Sequence, residues 1–501
     1  MGSVARKFSA AKILKLIRTK KEKFWSVLRE RQALRLFHEA AVRVPAYKDF
    51  LRKHHVSAAK VKTFGDFQSV PPVNKKIYLR EYPLEKLCWD GTLERPLVFT
   101  SSSGSTGEPF YFPRGERLDW EYSVMAEMFS ENSSYRSGGP VLVIIGFGMG
   151  VWIGGLITYK AFEIAALRSS LPVSIITPGI NKPEILNALR NLSPHYKETI
   201  FIAYPPFMKD VIDEARSEGI SLKKLNIRLF SAAEAYTEKF RDYIVRKAGV
   251  KNPYLDTLNI YGTADIGAMA WETPTTILIR RLALQDRKLF GALFHTIKTP
   301  TLTQYNPLFI TFESVNGEIL LTGNNAIPLI RYAVGDNGVT LHMGVIKEKF
   351  KAFGIDIYKE AAKAGLKDHL CELPLVAVYE RSDFAVKLHL RDIYPEIIRD
   401  VLISKKISKI LTGKFTMITK YDRNQDQYLE LNLEVRKNKK LSPRFKKLAH
   451  KQILKALHLK TEGPGTPDIF LKNSNIVKPV FWPAEHPLHF KPGIKQKWVK
   501  K

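Results

Sequence analysis

From residue 141 to residue 247 the chain repeats one pattern, a short apolar run followed by a longer amphipathic stretch. Residues 141–147, 173–177, 199–203 and 227–230 read as strands buried on both faces, being short and almost uniformly apolar. Between them, residues 159–167, 185–192, 207–217 and 237–247 space their apolar side chains as helices do. Strand and helix in alternation predict an α/β domain with a substantially parallel sheet. Ligands in such sheets collect where strands end and loops begin. Two such places stand out, Ser231-Ala232-Ala233-Glu234 and Asn259-Ile260-Tyr261-Gly262-Thr263-Ala264-Asp265.

Ahead of this block lies Thr100-Ser101-Ser102-Ser103-Gly104-Ser105-Thr106-Gly107-Glu108-Pro109, between the apolar run Leu97-Val98-Phe99 and the aromatic run Phe110-Tyr111-Phe112. It reads as a polar loop between two strands. Its glycines free backbone N–H groups to point inward, and its hydroxyls add donors, which suits phosphate oxygens. A Walker loop is excluded, because no lysine stands in the loop and Gly107 is followed by Glu108 and Pro109. By composition alone the stretch reads equally as an ordinary Ser/Gly turn.

A length of 501 residues predicts two or three domains, and a formal charge of +30 predicts an anionic partner without choosing among nucleotide, acidic ligand, membrane surface and nucleic acid. No nucleic-acid reader motif accompanies the charge. The two cysteines, Cys88 and Cys371, form no Cys-x-x-Cys pair, which argues against a disulfide scaffold or a cysteine-rich zinc site. With no cleavable leader legible at the N-terminus, a cytoplasmic location is expected. Residues 140–158 are uncharged and long enough to span a bilayer, but Gly146, Gly148, Gly150, Gly154 and Gly155 divide them into strand, loop and helix start. Residues 11–55 read as basic amphipathic helices, whose polar faces suit solvent or a weak contact with an anionic membrane surface. Nothing catalytic is legible between them and the loop. From about residue 381 the texture shifts to short mixed elements, which predicts a small second domain.

The motifs gain weight from their order. Ser103-Gly104-Ser105-Thr106-Gly107-Glu108-Pro109 resembles the phosphate loop of the adenylate-forming superfamily, and the remaining signatures follow in the expected sequence. Ser231 to Glu234 resembles the family's Gly-Ala-Glu segment, Tyr261 to Asp265 its Tyr-Gly-x-Thr-Glu motif, Arg331 to Asp336 its Arg-Tyr-x-x-Gly-Asp motif, and Arg381-Ser382-Asp383 its hinge. Phe147 to Gly155 is similar to the aromatic and glycine-rich segment of the phenylacetate–CoA ligase-like branch, which includes the deazaflavin-coenzyme adenylyltransferases.

The resemblance implies an adenylate-forming enzyme fold: a large multi-layer N-terminal domain, with helices over 1–95 and an α/β core over 96–380, and a small mobile α+β domain over 381–501. It implies ATP and Mg²⁺ as cofactors and a small carboxylic acid as substrate, with CoA or another nucleophile as acceptor. Ser102, Ser103, Gly104, Ser105, Thr106 and Gly107 would cradle the β- and γ-phosphates. Ala233, Glu234, Tyr261, Gly262, Thr263, Asp336 and Arg381 would also bind the nucleotide, Thr263 toward its phosphates or metal, and Asp265 would hold the metal. Lys495 would stabilise charge at the α-phosphate, with Lys497 as the alternative. Phe147, Met149, Trp152, Tyr204 and Ala232 would line the acyl pocket. Taken alone, Tyr261 reads as a core aromatic, Asp265 as a helix cap and Asp336 as a turn residue.

Several positions depart from the family pattern. Phe110 replaces the lysine that follows the loop proline, and Ala264 and Asp265 replace Thr and Glu. Leu390 stands where the family has a glycine that lets a pantetheine arm approach the backbone. An adenylyltransferase that leaves AMP on its substrate, and a basic nonenzymatic protein on the same fold, are therefore alternatives to the acid ligase.

Overall fold

The computed structural model describes residues 9–95, 97–101, 109–295, 299–379, 386–388, 391–423, 426–461, 469–490 and 498–499. It opens with helices α1 (Ala10–Thr19), α2 (Glu22–Arg43), α3 (Pro45–Lys53), α4 (Phe64–Gln68) and α5 (Leu84–Leu87), with the two-residue strand β1 (Val73–Asn74) between the last two. Pro45 starts α3, where a missing N–H costs no helical hydrogen bond. Strands β2 (Val98–Ser101) and β3 (Tyr111–Arg114) flank the polar loop, as the sequence predicts, and pair as an antiparallel hairpin.

Helix α6 (Glu116–Glu131) leads into the alternating block: β4 (Val141–Ile145), α7 (Ile153–Arg168), β5 (Val173–Ile176), α8 (Lys182–Asn187), β6 (Glu198–Ala203), α9 (Pro205–Ser217), β7 (Ile227–Ala232), α10 (Glu238–Ala248) and β8 (Thr257–Thr263). β4 pairs in parallel with β5 and β6, β6 with β7, and β7 with β8. Successive side chains of a strand point to opposite faces. In β4, accordingly, Val141, Val143 and Ile145 enter a core with Ile13, Met125 and Phe162. Leu142 and Ile144 enter another with Ile185, Met208 and Ile244. Both faces are covered by helices, which is why the strand has no polar positions.

The parallel arrangement stops at β8. β9 (Gly267–Trp271), β10 (Thr301–Gln304), β11 (Ile310–Val315), β12 (Glu318–Gly323), β13 (Leu329–Leu341) and β14 (Leu375–Tyr379) extend the sheet antiparallel to twelve strands, in the order β11-β12-β13-β14-β10-β9-β8-β7-β6-β4-β5, with β1 beside β13. Helices α11 (Pro274–Ala283) and α12 (Arg287–Phe294) follow β9. Between β13 and β14 lie α13 (Met343–Ala352) and α14 (Ile357–Lys363), separated at Gly354, whose φ of +73° is left-handed. Both pack into a core with Leu278, Leu289 and Leu375.

β15 (Val386–Leu388), β16 (Arg391–Ile393), α15 (Pro395–Leu402), β17 (Leu411–Tyr421), β18 (Gln427–Val435), α16 (Pro443–Thr461) and β19 (Val477–Trp482) close round a separate core that includes Leu388, Ile398, Phe415, Leu431 and Ile453. This smaller unit seats on the large one through ion pairs along α9 and a hydrogen bond at the start of α10. Arg436 reaches Asp213 at 2.7 Å, Lys414 reaches Asp210 at 2.6 Å, and the Thr237 hydroxyl donates to Asp400 at 2.6 Å. Among the described residues no helix is long and apolar enough to cross a membrane; residues 140–158 are shared between β4, a loop and the start of α7.

Candidate active site

Ser101 faces Tyr111 across the hairpin, so the polar loop closes between two paired residues. Ser102, Ser103, Gly104, Ser105, Thr106 and Gly107 themselves lie outside the described residues, as do Arg381, Lys495 and Lys497. The Ser101 N–H donates to the Val151 carbonyl at 3.0 Å, tying the hairpin to the glycine-rich segment before α7. The buried Thr100 hydroxyl has no partner among the described residues.

The two motifs at the ends of β8 and in β13 meet. The Tyr261 hydroxyl donates to Asp336 Oδ2 at 2.8 Å, across a sequence separation of 75 residues. Tyr261 is buried, and its ring lies 6.1 Å from that of Phe312. Gly262 is required where it stands, since a Cβ there would come within 2.6 Å of the Gly267 carbonyl oxygen. Thr263 accepts a hydrogen bond from the Asp265 N–H at 3.3 Å, closing the turn that presents the Asp265 carboxylate.

That carboxylate is held on both sides. Lys75 Nζ lies 3.1 Å from Oδ1, and the Tyr332 hydroxyl donates to Oδ2 at 2.5 Å. Tyr332 belongs to the Arg331–Asp336 motif, but Lys75 was not legible in the sequence as a partner. Lys75 begins the turn after β1, and the parallel pairing of Val73 with Tyr332 brings both residues to the same edge. The Lys75 ammonium also sits 5.3 Å from the centre of the Phe112 ring, which belongs to the hairpin and is opposite Thr100. Among the described residues no group of three or more His, Cys, Asp or Glu side chains gathers to hold a metal unaided.

At the end of β7, Ala233 takes a φ of +76°, a conformation that a residue with a Cβ adopts only when its surroundings impose it. The turn is tied by Asn259, whose Nδ2 donates to the Glu234 carbonyl at 3.1 Å. The Glu234 side chain is where the smaller unit meets this edge. Its Oε2 accepts from Trp498 Nε1 at 3.1 Å and lies 3.6 Å from Arg399 Nη2, while Oε1 is buried with no partner among the described residues. Arg399 also donates to the Ala235 carbonyl at 2.8 Å and stacks 4.8 Å from the Trp498 ring. The chain at residue 498 is thus brought to the strand ends.

The expected pocket residues are grouped unevenly. Phe147 is buried just beyond β4, with Tyr204 and Ala232 packed against the same core. Met149 lies against Gly155, where a Cβ would meet its sulfur at 2.7 Å. Trp152 folds over Gly148 but stays 48% exposed, at the rim.

The fold is that of the adenylate-forming enzymes. The chain is similar over 95% of its length to a crystal structure of 2-hydroxyisobutyryl-CoA ligase in the postadenylation state with 2-HIB-AMP, at 15% identity and a TM-score of 0.64, covering 89% of that chain. Similarity to the same ligase with 2-HIB-AMP and CoA in the thioesterification state is lower, with a TM-score of 0.51 at 15% identity over 92% of this chain and 87% of that one. The AtGH3.15 acyl acid amido synthetase in complex with 2,4-DB is also similar, with a TM-score of 0.55 at 14% identity over 95% of this chain and 89% of that one. No protein-family model and no curated protein matches the sequence.

Proposed function

We propose that the protein is an ATP-dependent, AMP-forming ligase that adenylates a carboxylic acid and passes the acyl group to CoA or another acceptor. The observation that carries this is the Tyr261–Asp336 hydrogen bond, which joins two nucleotide motifs at one sheet edge. In the first half-reaction a carboxylate oxygen attacks the α-phosphorus, an O–P bond forms, and pyrophosphate leaves with the electrons of the broken bond. In the second, an acceptor attacks the acyl carbon and AMP leaves.

The residues suit these tasks. Tyr261 offers an adenine-sized face, Asp336 a two-oxygen acceptor for ribose hydroxyls, and the buried Oε1 of Glu234, which has no partner among the described residues, an acceptor for an exocyclic amine. A single carboxylate, Asp265, fits Mg²⁺, which takes one or two carboxylates and completes its shell with phosphate oxygens and water. When bound, Mg²⁺ would neutralise charge on the departing pyrophosphate. The loop at 102–107 would wrap the phosphates, and Lys495 or Lys497, delivered beside Trp498, would face the α-phosphate. The division of the chain into 1–95, 96–380 and 381–501, the acyl pocket at Phe147, Met149, Trp152, Tyr204 and Ala232, and a place near the phenylacetate–CoA ligase-like branch belong to the same reading.

Acid-dependent exchange of labelled pyrophosphate into ATP tests it. Exchange with at least one member of a broad acid panel is the expected result, and none from folded protein would sink it. An adenylyltransferase is the second reading, favoured by Leu390 in place of glycine. Mass spectrometry separates the two: a stable AMP adduct of the substrate, with no acyl transfer, marks the second.

A further inference from the structure

The loop that would hold the triphosphate carries no lysine or arginine from residue 100 to residue 109, and its one charge is the carboxylate of Glu108. A triphosphate held there still needs a cation. The fold supplies one from a different part of the chain. Asn74 accepts hydrogen bonds at its Oδ1 from the N–H groups of Lys76 and Ile77, both at 2.9 Å, which fixes the turn that launches Lys75. β1 lies against β13 in register with Tyr332 and Ala333. The Lys75 ammonium therefore lies between the hairpin, 5.3 Å from the Phe112 ring centre, and Asp265, at 3.1 Å. Its side chain remains 31% exposed, against 11% for Asp265. It is held at one end and open at the other.

We propose that Lys75 is the triphosphate-binding cation of this site and that it exchanges partners when nucleotide enters. Without nucleotide, its ammonium pairs with Asp265 and keeps that carboxylate from collecting a divalent cation alone. With the nucleotide–metal complex, the ammonium moves to β- or γ-phosphate oxygens and Asp265 passes to the metal. The exchange conserves charge, since every ion released from one partner gains another. The flexible four-carbon stem of lysine suits such a move, and the Tyr332 hydroxyl keeps Asp265 oriented while Lys75 leaves. This inference rests on the proposed ATP chemistry and assigns that chemistry a residue from outside its recognisable motifs.

The test uses the full chain with Lys75→Gln and Lys75→Arg, and reads binding rather than turnover. ATP affinity is measured by calorimetry without acid substrate, and Mn²⁺ affinity without nucleotide by electron paramagnetic resonance. Lys75→Gln is expected to weaken ATP by ~10-fold or more, the scale of one charge-assisted hydrogen bond, and to tighten Mn²⁺ severalfold because Asp265 loses its competitor. Lys75→Arg should restore ATP binding. A residue that merely braces the turn would weaken both ligands or neither, and either result overturns the proposal. If Lys75→Gln does not fold, Asp265→Asn serves: freed Lys75 should then bind ATP more tightly than wild type does in EDTA, and equal or weaker binding counts against the exchange. Wild-type protein that binds no ATP removes the functional reading as well, whereas wild-type binding that Lys75→Gln leaves unchanged removes only the role of Lys75.

Discussion

Tyr261 joins two jobs in one side chain: its ring is packed into the core under the sheet, and its hydroxyl reaches Asp336 at 2.8 Å. Tyr261→Phe keeps the first and removes the second. Since a hydrogen bond to a charged group contributes roughly 1.5–3 kcal/mol, the variant should fold and bind ATP about tenfold or more weakly. Nucleotide titration beside thermal denaturation checks both halves, and an unchanged affinity would remove Asp336 orientation from the account. Residues like these were legible in the sequence because their motifs arrive in order, each motif supplying a local pattern. Lys75, and its meeting with the Asp265 that Tyr332 also holds, were not, for a physical reason. Their meeting depends on the pairing of a two-residue strand with a distant one, and the residues around Lys75 carry only a proline pair and surface-like charge.

Among the elements, α6 shows how burial sets a titration. Leu118 in its first turns packs where a Cβ on Gly267 would come within 2.9 Å, so the helix braces the turn that presents Asp265. One turn on, Glu121 is buried, and desolvation pushes its pKa up to about 7 against the opposing charge of Arg117, whose Nε donates to it at 2.6 Å. The folded protein thus keeps a proton that the unfolded chain releases near pH 4.5. The stabilisation is complete below that value and is lost as pH rises through about 7, at up to about 1.4 kcal/mol per pH unit. Urea denaturation at several pH values should show this slope in the wild type and its loss in Glu121→Gln; an equal slope in both would reject it. The helices and strands themselves were read well from sequence. The change from parallel to antiparallel beyond β8 was not, because the first half of β13 is buried and lacks the polar–apolar alternation that marks an open antiparallel sheet, and the polar residues that do alternate in β11, Thr311 and Glu313, are themselves buried.

At the scale of the whole molecule, the two units are held by charge as much as by packing. Burial alone would raise the Asp213 carboxyl, but Lys209 and Arg436 overcome it and hold it at about 2. Because that lies below the ordinary 3.8, the contribution is present above about pH 4 and disappears as pH falls toward 2. Arg436→Ala should loosen the smaller unit already at neutral pH, seen as faster proteolysis and a larger radius in small-angle scattering, while wild type loosens only in acid. Identical profiles would mean that the apolar contacts suffice. The strand β1 has a different consequence for the same molecule. It adds only two residues to the sheet, yet it carries Lys75 to Asp265 from outside the stretch that holds every recognisable motif. A polypeptide begun at residue 96 would keep all of those motifs and none of the cation beside the acid. If the proposed nucleotide site is right, residues 1–95 and 96–501 expressed separately should each fail to bind ATP, and recovery of binding on mixing would be a complementation assay for how far that site is shared between distant parts of one gene.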